Sequence, residues 1–204
     1  MKKLKSLVLM ALALLPASKA LAQTNAQVLY DFGTDRKYVT LTLEMFKQDK
    51  WGSTYFFVDH DFNSDRLEID NEGVGSVNIN KILANKLEVS NEGVGSVTID
   101  EAKGDVMKID NEGVGSVKVG RVAMGDLKVD NEGVGSVTLD FFKGDYLKIN
   151  NDGVGKVSAK VDCQILNVDL DGVGGVHLSG VTGKYTRHKD GVGSISDGGL
   201  KVGR

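Results

Sequence analysis

The sequence is poor in the residues that most often build catalytic and metal centres. It contains one cysteine, one proline and three histidines in 204 residues. With Cys163 alone no internal disulfide bond can form, and we expect its thiol to be a small buried apolar group. His60, His177 and His188 lack the spacing of metal ligands. Because no serine–histidine–acid set and no phosphate-binding glycine loop before a helix is present either, the sequence argues against an enzyme.

The chain also lacks a long apolar segment. Its first 22 residues combine a basic start, an apolar run over residues 7–15 and the small-residue site Ala20-Leu21-Ala22. This is the pattern of a secretory signal peptide, and the apolar run is too short to span a membrane. No cysteine follows it, which argues against a lipoprotein anchor.

An excess of basic residues is missing as well. The chain has 25 Lys and Arg against 28 Asp and Glu. Cleavage before Gln23 would remove four lysines and no acid, so the mature chain would carry 21 − 28 = −7 charges. Nucleic-acid binding needs clustered Lys and Arg, and the sequence therefore predicts no nucleic-acid partner.

What the sequence has in abundance is one repeated heptad, Asn71-Glu72-Gly73-Val74-Gly75-Ser76-Val77. Identical copies lie at residues 91–97, 111–117 and 131–137, and altered copies at residues 151–157, 171–176 and 190–195. The first glycines of the seven copies are 20, 20, 20, 20, 19 and 19 residues apart. A fixed period of this size predicts stacked units that cannot bury their apolar faces alone.

Apolar residues at fixed offsets from the first glycine predict short β-strands. They recur six and four residues before it and four and six residues after it, and no segment keeps a helical period. A valine also follows every first glycine, and we expect it in the core. The two glycines are expected to turn the chain through positive φ. A second turn is predicted at Gly104-Asp105, Gly125-Asp126 and Gly144-Asp145.

These features predict an all-β parallel solenoid over residues 64–204, with about seven coils of 19–20 residues. Stacking at about 4.8 Å per coil would give a rod about 34 Å long. In the seventh coil Arg187 and Asp197 occupy positions that are apolar in the other coils, which is typical of a terminal cap. The alternative for residues 196–204 is a disordered tail.

Residues 23–63 differ from the repeats. Apolar and polar side chains alternate over residues 39–45, and an aromatic-rich strand is predicted at residues 54–62, with a further short strand at 27–32. We expect a β-hairpin that covers the open edge of the first coil. The alternative is a remnant of a gene fusion.

Part of this segment resembles a known family. Tyr30-Asp31-Phe32-Gly33, Glu44-Met45-Phe46-Lys47 and the stretch from Asp49 to Asp59 are similar to the opening of a family of uncharacterised bacterial outer-membrane proteins, itself similar to nucleoside-channel barrels. The resemblance implies outer-membrane association. It does not imply transport, because a single-chain barrel needs at least about eight strands.

The repeats carry a second resemblance. Copies of Leu-x-Ile-x-x-x-Gly-Val-Gly-x-Val-x-Ile across residues 64–195 resemble the head (GIN) domain of auto-transporter adhesins. The resemblance implies a right-handed parallel β-helix that is exported, surface-associated and adhesin-like. It transfers no binding residues.

The sharpest candidate site is a column of acids at one position of successive coils. Its members are Glu72, Glu92, Glu112, Glu132, Asp152, Asp171 and Asp190. Stacked carboxylates about 5 Å apart repel each other by roughly 1 kcal/mol per pair in water. A divalent cation such as Ca²⁺ would offset that repulsion, and the alternative is a solvated acidic corner. The adjacent column of Asn71, Asn91, Asn111, Asn131 and Asn151 is predicted to be a structural amide ladder.

The sequence therefore predicts a non-enzymatic, adhesin-like module in the cell envelope, at the periplasm, outer membrane or cell surface. Multivalent contacts would join it to an unknown surface protein or glycan, with no cofactor other than the Ca²⁺ considered above. One alternative is a β-helix enzyme that acts on acidic polysaccharides through calcium, arginine and carboxylates, although Arg66, Arg121 and Arg187 fall at unrelated repeat positions. Another is an outer-membrane component related to the N-terminal segment.

Overall fold

A computed structural model describes residues 22–30, 39–49, 52–61 and 66–203, and every regular element in these ranges is a β-strand. The strands are β1 (Ala22–Tyr30), β2 (Val39–Asp49), β3 (Gly52–Asp61), β4 (Arg66–Asn71), β5 (Ser76–Leu83), β6 (Lys86–Asn91), β7 (Ser96–Asn111), β8 (Ser116–Asn131), β9 (Ser136–Asn151), β10 (Lys156–Leu170), β11 (Gly175–Lys189) and β12 (Ser194–Val202). The predicted signal peptide lies outside the described residues except for Ala22.

Parallel pairing between equivalent residues stacks the chain into a solenoid. Val97 pairs with Val117, and Val117 pairs with Val137, so that the register follows the 20-residue period. The resulting coils are residues 66–85, 86–105, 106–125, 126–145, 146–164, 165–183 and 184–203, which we number 1 to 7. The predicted parallel β-solenoid of about seven coils is confirmed.

The N-terminal strands form an antiparallel meander that joins the edge of the first coil. β1 pairs with β2, β2 pairs with β3, and β3 pairs antiparallel with β4. β1 overlaps the further short strand predicted at residues 27–32, although it begins earlier, at Ala22. Within the described residues β5 pairs only with β7, so the meander continues the sheet on one side of coil 1.

The core lies inside the coils. The positions four and six residues before and after the first glycine contribute to it, as predicted. The fully buried positions include Ile69, Val89, Val97, Ile99, Met107, Ile109, Val117, Val119, Val129, Val137, Phe142, Leu147, Ile149, Val157, Leu166 and Leu178. Cys163 is buried among them, and burial raises the pKa of its thiol, as expected of an inert apolar cysteine. Burial of these aliphatic ladders is the main favourable contribution to folding.

The expectation for the corner valines is wrong. The valine after each first glycine is exposed in every coil, from Val74 at 51% to Val192 at 83%. Alternation explains the result, because on the two strands that flank the corner the inward residues lie four and six residues from the first glycine, and Val74 has the odd offset of Glu72 and Ser76. The side-chain period of two therefore continues through the corner and turns this valine outward.

The corner glycines are required for close stacking rather than for positive φ. Among the described glycines only Gly180 and Gly203 have positive φ, so the expectation of positive φ at the corners is wrong. A Cβ atom on Gly115 would lie 1.8 Å from the carbonyl oxygen of Gly95 in the coil below. The backbones approach this closely because amides of one corner donate to carbonyls of the previous corner, as Ser116 N does to Gly95 O at 3.0 Å.

The predicted second turn lies inside long strands. Gly104, Gly125 and Gly144 fall within β7, β8 and β9, because the interstrand pairing continues past this bend. A visible break occurs only in coil 1, between β5 and β6. Coil 5 is the first coil with 19 residues instead of 20. The missing residue falls on β10, where the register with β9 shifts between Ala159 and Val161.

Candidate functional site at the Gly-Val-Gly corner

The predicted acidic column lies on the outer surface of the corner. All seven carboxylates, from Glu72 to Asp190, are exposed. Of these acids only Asp190 forms an ion pair among the described residues, with His188 at 3.2 Å. The other six acids of the column form no ion pair within the part of the chain that the structure describes, so the solvated corner and the cation site both stay predictions.

A ridge of exposed valines runs beside the acidic column. It comprises Val74, Val94, Val114, Val134, Val154, Val173 and Val192, and we call it the valine ridge. Its five central members, one each in coils 2 to 6, are 54–61% exposed. One buried or half-buried glycine separates each valine from the acid of the same coil, so the corner presents parallel apolar and acidic rows. Sequence reasoning missed this ridge because it placed the valines inside.

Serine hydroxyls border the ridge on its other side. Ser76 Oγ and Ser96 Oγ are 3.0 Å apart in consecutive coils. In the later coils this position holds Ser116, Ser136, Lys156, Gly175 and Ser194. It changes in two of the seven coils, whereas the valine changes in none.

The asparagine column is a buried hydrogen-bonded ladder beneath the corner. Each side-chain amide donates to the next amide oxygen, with N···O distances of 2.7 Å to 2.8 Å from Asn71 to Asn151. At the upper end Asn151 Nδ2 contacts the carbonyl oxygens of Gly155 and Gly175 at 3.3 Å and 3.4 Å. The predicted structural role is confirmed, because the ladder pairs the enclosed amides with one another, and only Asn71 Oδ1 at its lower end is left without a partner among the described residues.

A second column, two residues before the exposed acids, is shielded and mostly paired. Lys108 Nζ lies 2.6 Å from Asp110 Oδ2, and Lys128 Nζ lies 2.6 Å from Asp130 Oδ2. Burial raises the pKa of Asp110, while the Lys108 ammonium opposes that shift. The Asp110 carboxylate in turn raises the pKa of Lys108. The lysine stripe is thus largely neutralised by this column.

Asp70 begins this column in coil 1. Burial and the nearby carboxylates of Glu68 and Glu92 raise its pKa to about 6. Burial is the largest cause of the raised pKa of Asp70, and the neighbouring carboxylates add to it.

At the other end of the rod His188 occupies the position of the shielded aspartates. It joins Asp171 and Asp190, and ligand atoms of the three side chains lie within 4.8 Å of one another. Two carboxylates and an imidazole suit a first-row divalent metal better than Ca²⁺, which prefers oxygen ligands. All three side chains are exposed, and this is the one such group among the described residues. The sequence could have indicated this group, since His188 lies three residues before the first glycine of its coil, as Asp70, Asp110 and Asp130 do.

A separate groove lies on the outer face of β7 to β9. It has a volume of about 540 Å³ and is lined by Thr98, Ile99, Asp100, Lys118, Gly120, Arg121, Asp140 and Phe141. Lys118 pairs with Asp140 at 3.1 Å, and Arg121 lies 3.8 Å from Glu101. Arg121 therefore meets carboxylates in an open groove, whereas Arg66 pairs with Glu68 and Glu88 near the first coil.

Coil 7 ends the stack with polar residues at inward positions. Arg187 Nη1 lies 2.6 Å from Asp197 Oδ2 across the coil. Beside this pair, burial and the Asp197 carboxylate raise the pKa of Tyr185 to about 12. β12 continues to Val202, so residues 196–202 form a strand rather than a disordered tail.

These elements define a parallel β-solenoid protein with a repeated, exposed corner. The model of a domain of unknown function (DUF5020) matches residues 22–99, which comprise the meander, coil 1 and part of coil 2. No curated protein and no solved structure matches the chain. Among the described residues no helix is long and apolar enough to cross a membrane.

Proposed function

We propose that this protein is an exported, non-catalytic interaction module of the cell envelope, which binds its partner multivalently in the manner of an adhesin. The observation that supports the proposal most directly is the corner, where each coil presents an acid and a valine in the same arrangement. Repeated weak contacts on one rigid body add through effective concentration. The signal peptide and the resemblance to adhesin head domains point in the same direction.

The proposal predicts that adhesion depends steeply on the number of coils. Deleting residues 106–145 removes coils 3 and 4 and leaves the register between coils 2 and 5 intact. Beads coated with the mature chain should adhere to cells or envelope fragments, and the shortened chain should lose at least tenfold in adhesion strength. Circular dichroism would verify that both proteins contain the same type of β-structure. Equal adhesion by two correctly folded proteins would contradict multivalent binding.

The groove around Arg121 supports a second candidate function, a polysaccharide-acting enzyme. An arginine and carboxylates that converge in an open groove could contact an acidic glycan. Turnover of acidic polysaccharides should be measured with and without Ca²⁺, using Arg121→Ala as the matched variant. Cleavage that Arg121→Ala abolishes would replace the non-catalytic proposal.

The outer-membrane alternative depends on the N-terminal segment alone. Cell fractionation separates it from a freely soluble envelope protein. Recovery of the full chain in the soluble periplasmic fraction would remove a membrane-inserted role.

A further inference from the structure

We propose that the corner of coils 2 to 6 binds a cationic, amphipathic polypeptide segment, with its apolar side chains on the valine ridge and its Lys or Arg side chains on the acidic column. This inference rests on the proposed function and specifies the chemistry of the partner.

Along the repeats one exposed position is constant while buried positions vary. The inward position six residues before the first glycine changes from Leu87 to Met107 and Tyr185. The exposed valine persists in all seven copies, including the altered coils that carry Val154, Val173 and Val192. Packing inside the coil does not require this constancy, since the side chain points outward. A continuous exposed apolar row is typical of an interaction surface.

Negative charge lies beside the valine ridge. The acids of coils 2 to 6 form no ion pairs with described residues, whereas the aspartates two residues earlier are largely paired with lysines. The exposed acids thus give the valine ridge a negative border that a cationic ligand would neutralise. The same border opposes an anionic membrane surface, and it opposes a second copy of this corner.

The valine ridge has a length that matches a short helix. With coils about 4.8 Å apart, Val94 and Val173 are separated by four steps, or about 19 Å. A helix rises about 1.5 Å per residue and repeats every 5.4 Å, so about 13 helical residues would cover these coils with one apolar contact per turn. A short amphipathic segment therefore fits the row in both length and spacing.

The experiment uses the mature full chain and an 18-residue peptide with a leucine face flanked by lysines. Two further peptides replace every lysine with glutamate or every leucine with serine. Fluorescence anisotropy at 50 and 300 mM NaCl should show binding of the Leu/Lys peptide that weakens with salt. Binding of the Leu/Glu peptide with equal affinity would overturn the proposal.

Matched variants locate the binding surface. Glu92, Glu112 and Glu132 changed together to Gln should weaken peptide binding at least tenfold. The control variant changes Asp105, Asp126 and Asp145 to Asn. It removes the same charge from exposed acids elsewhere on the coils and should alter the peptide affinity less than twofold. Equal losses in the two variants would mean that the peptide senses only net charge, and the proposal would be wrong.

The apolar half is tested in the same way. The ridge variant changes Val114, Val134 and Val154 to Thr, which keeps the β-branched shape but removes apolar surface. Its affinity for the Leu/Lys peptide should fall at least fivefold. Leu83, Val106 and Ile165 are also exposed, and changing them to Thr should have less than a twofold effect. Unchanged affinity in the ridge variant would exclude the valines from the contact.

Two controls separate this inference from the proposed function. Sedimentation should show a monomer, and a dimer that the valine variant abolishes would make a second copy the occupant instead. If cell adhesion depends on coil number but no peptide binds, the partner class is wrong and the proposed function stands. If the peptide binds at the corner but adhesion is absent, the adhesin-like role fails and the corner remains a peptide-binding surface.

Discussion

At the scale of single residues, glycine sets how closely consecutive corners can approach. Gly115→Ala would place a Cβ atom 1.8 Å from Gly95 O, which is backbone and cannot rotate away. We expect a loss of about 3 kcal/mol or more, equivalent to roughly 6–12 °C in melting temperature. Gly198→Ala is the control, because no atom lies within 4 Å of the added carbon. Thermal melts that show similar losses for the two variants would contradict the steric explanation.

The asparagine ladder predicts a dependence on position. Asn111→Ala leaves Asn91 Nδ2 and Asn131 Oδ1 without their partners in a buried setting. Each unsatisfied group costs about 1–3 kcal/mol, so we expect a total loss of about 2–5 kcal/mol. Asn71→Ala breaks only one ladder bond and should cost about half as much. Urea denaturation measures both values, and equal costs would argue against a cooperative ladder.

Asp70 predicts a pH dependence of stability. Its pKa in the folded protein is about 6, above its ordinary value of 3.8, so the folded state binds the proton more tightly than the unfolded state does. Stability from this group is complete below pH 3.8 and is lost as pH rises through about 6. Asp70→Asn should therefore raise the melting temperature at pH 7 by a few degrees and flatten its fall between pH 4 and 7. Asp105→Asn changes an exposed acid and should keep the wild-type fall of melting temperature with pH. If Asp70→Asn also kept that fall, a group other than Asp70 would be its cause.

At the scale of elements, coil 7 works as an end because its inward residues are polar. The Arg187–Asp197 pair is partly exposed, and such pairs contribute little to stability. The pair instead places charge on the upper surface of coil 7, whose strand edges would otherwise be open to pairing with another chain. Arg187→Val combined with Asp197→Val restores the apolar pattern and should produce end-to-end association. Light scattering over a concentration series measures this, with Thr186→Val on the same strand as control; a strictly monomeric double variant would show that the pair does not prevent stacking.

The elements also show what the sequence predicts and where prediction fails. The strands and the buried ladders four and six residues from the first glycine follow from alternation, whereas buried Met124, Val161 and Leu170 lie at other offsets and were not predicted. The apolar character of Val74 predicts an inward side chain, but its odd offset turns the side chain outward. Glycine usually signals positive φ, whereas here the stacked carbonyls impose the requirement for glycine. The approach of His188 to Asp171 depends on side-chain geometry between two coils, and only its offset hinted at it.

At the scale of the whole molecule, the acidic column concentrates negative charge along one side of the rod. Glu92, Glu112 and Glu132 changed together to Gln should raise the melting temperature by a few degrees in low salt with chelator, since like charges about 5 Å apart repel. The difference should vanish in 1 M NaCl, where screening acts within about 3 Å. The Asp105, Asp126 and Asp145 variant provides the charge-matched control.

The same variants decide the cation hypothesis. For a solvated column, millimolar Ca²⁺ should stabilise the wild type no more than NaCl of equal ionic strength does. A rise that is specific to Ca²⁺ and absent from the glutamine variant would instead establish a cation bound along the column.

The constant register has a consequence for how the rod can change in length. Val97, Val117 and Val137 pair in one series, so any of the first four coils can follow another without a break in the ladder. Unequal recombination between the coding segments of coils that share this heptad would add or remove about 4.8 Å of rod for each coil. Such a change alters reach and the number of corner contacts while every remaining interface keeps its partner. Length is therefore the property of this molecule that mutation can vary most freely.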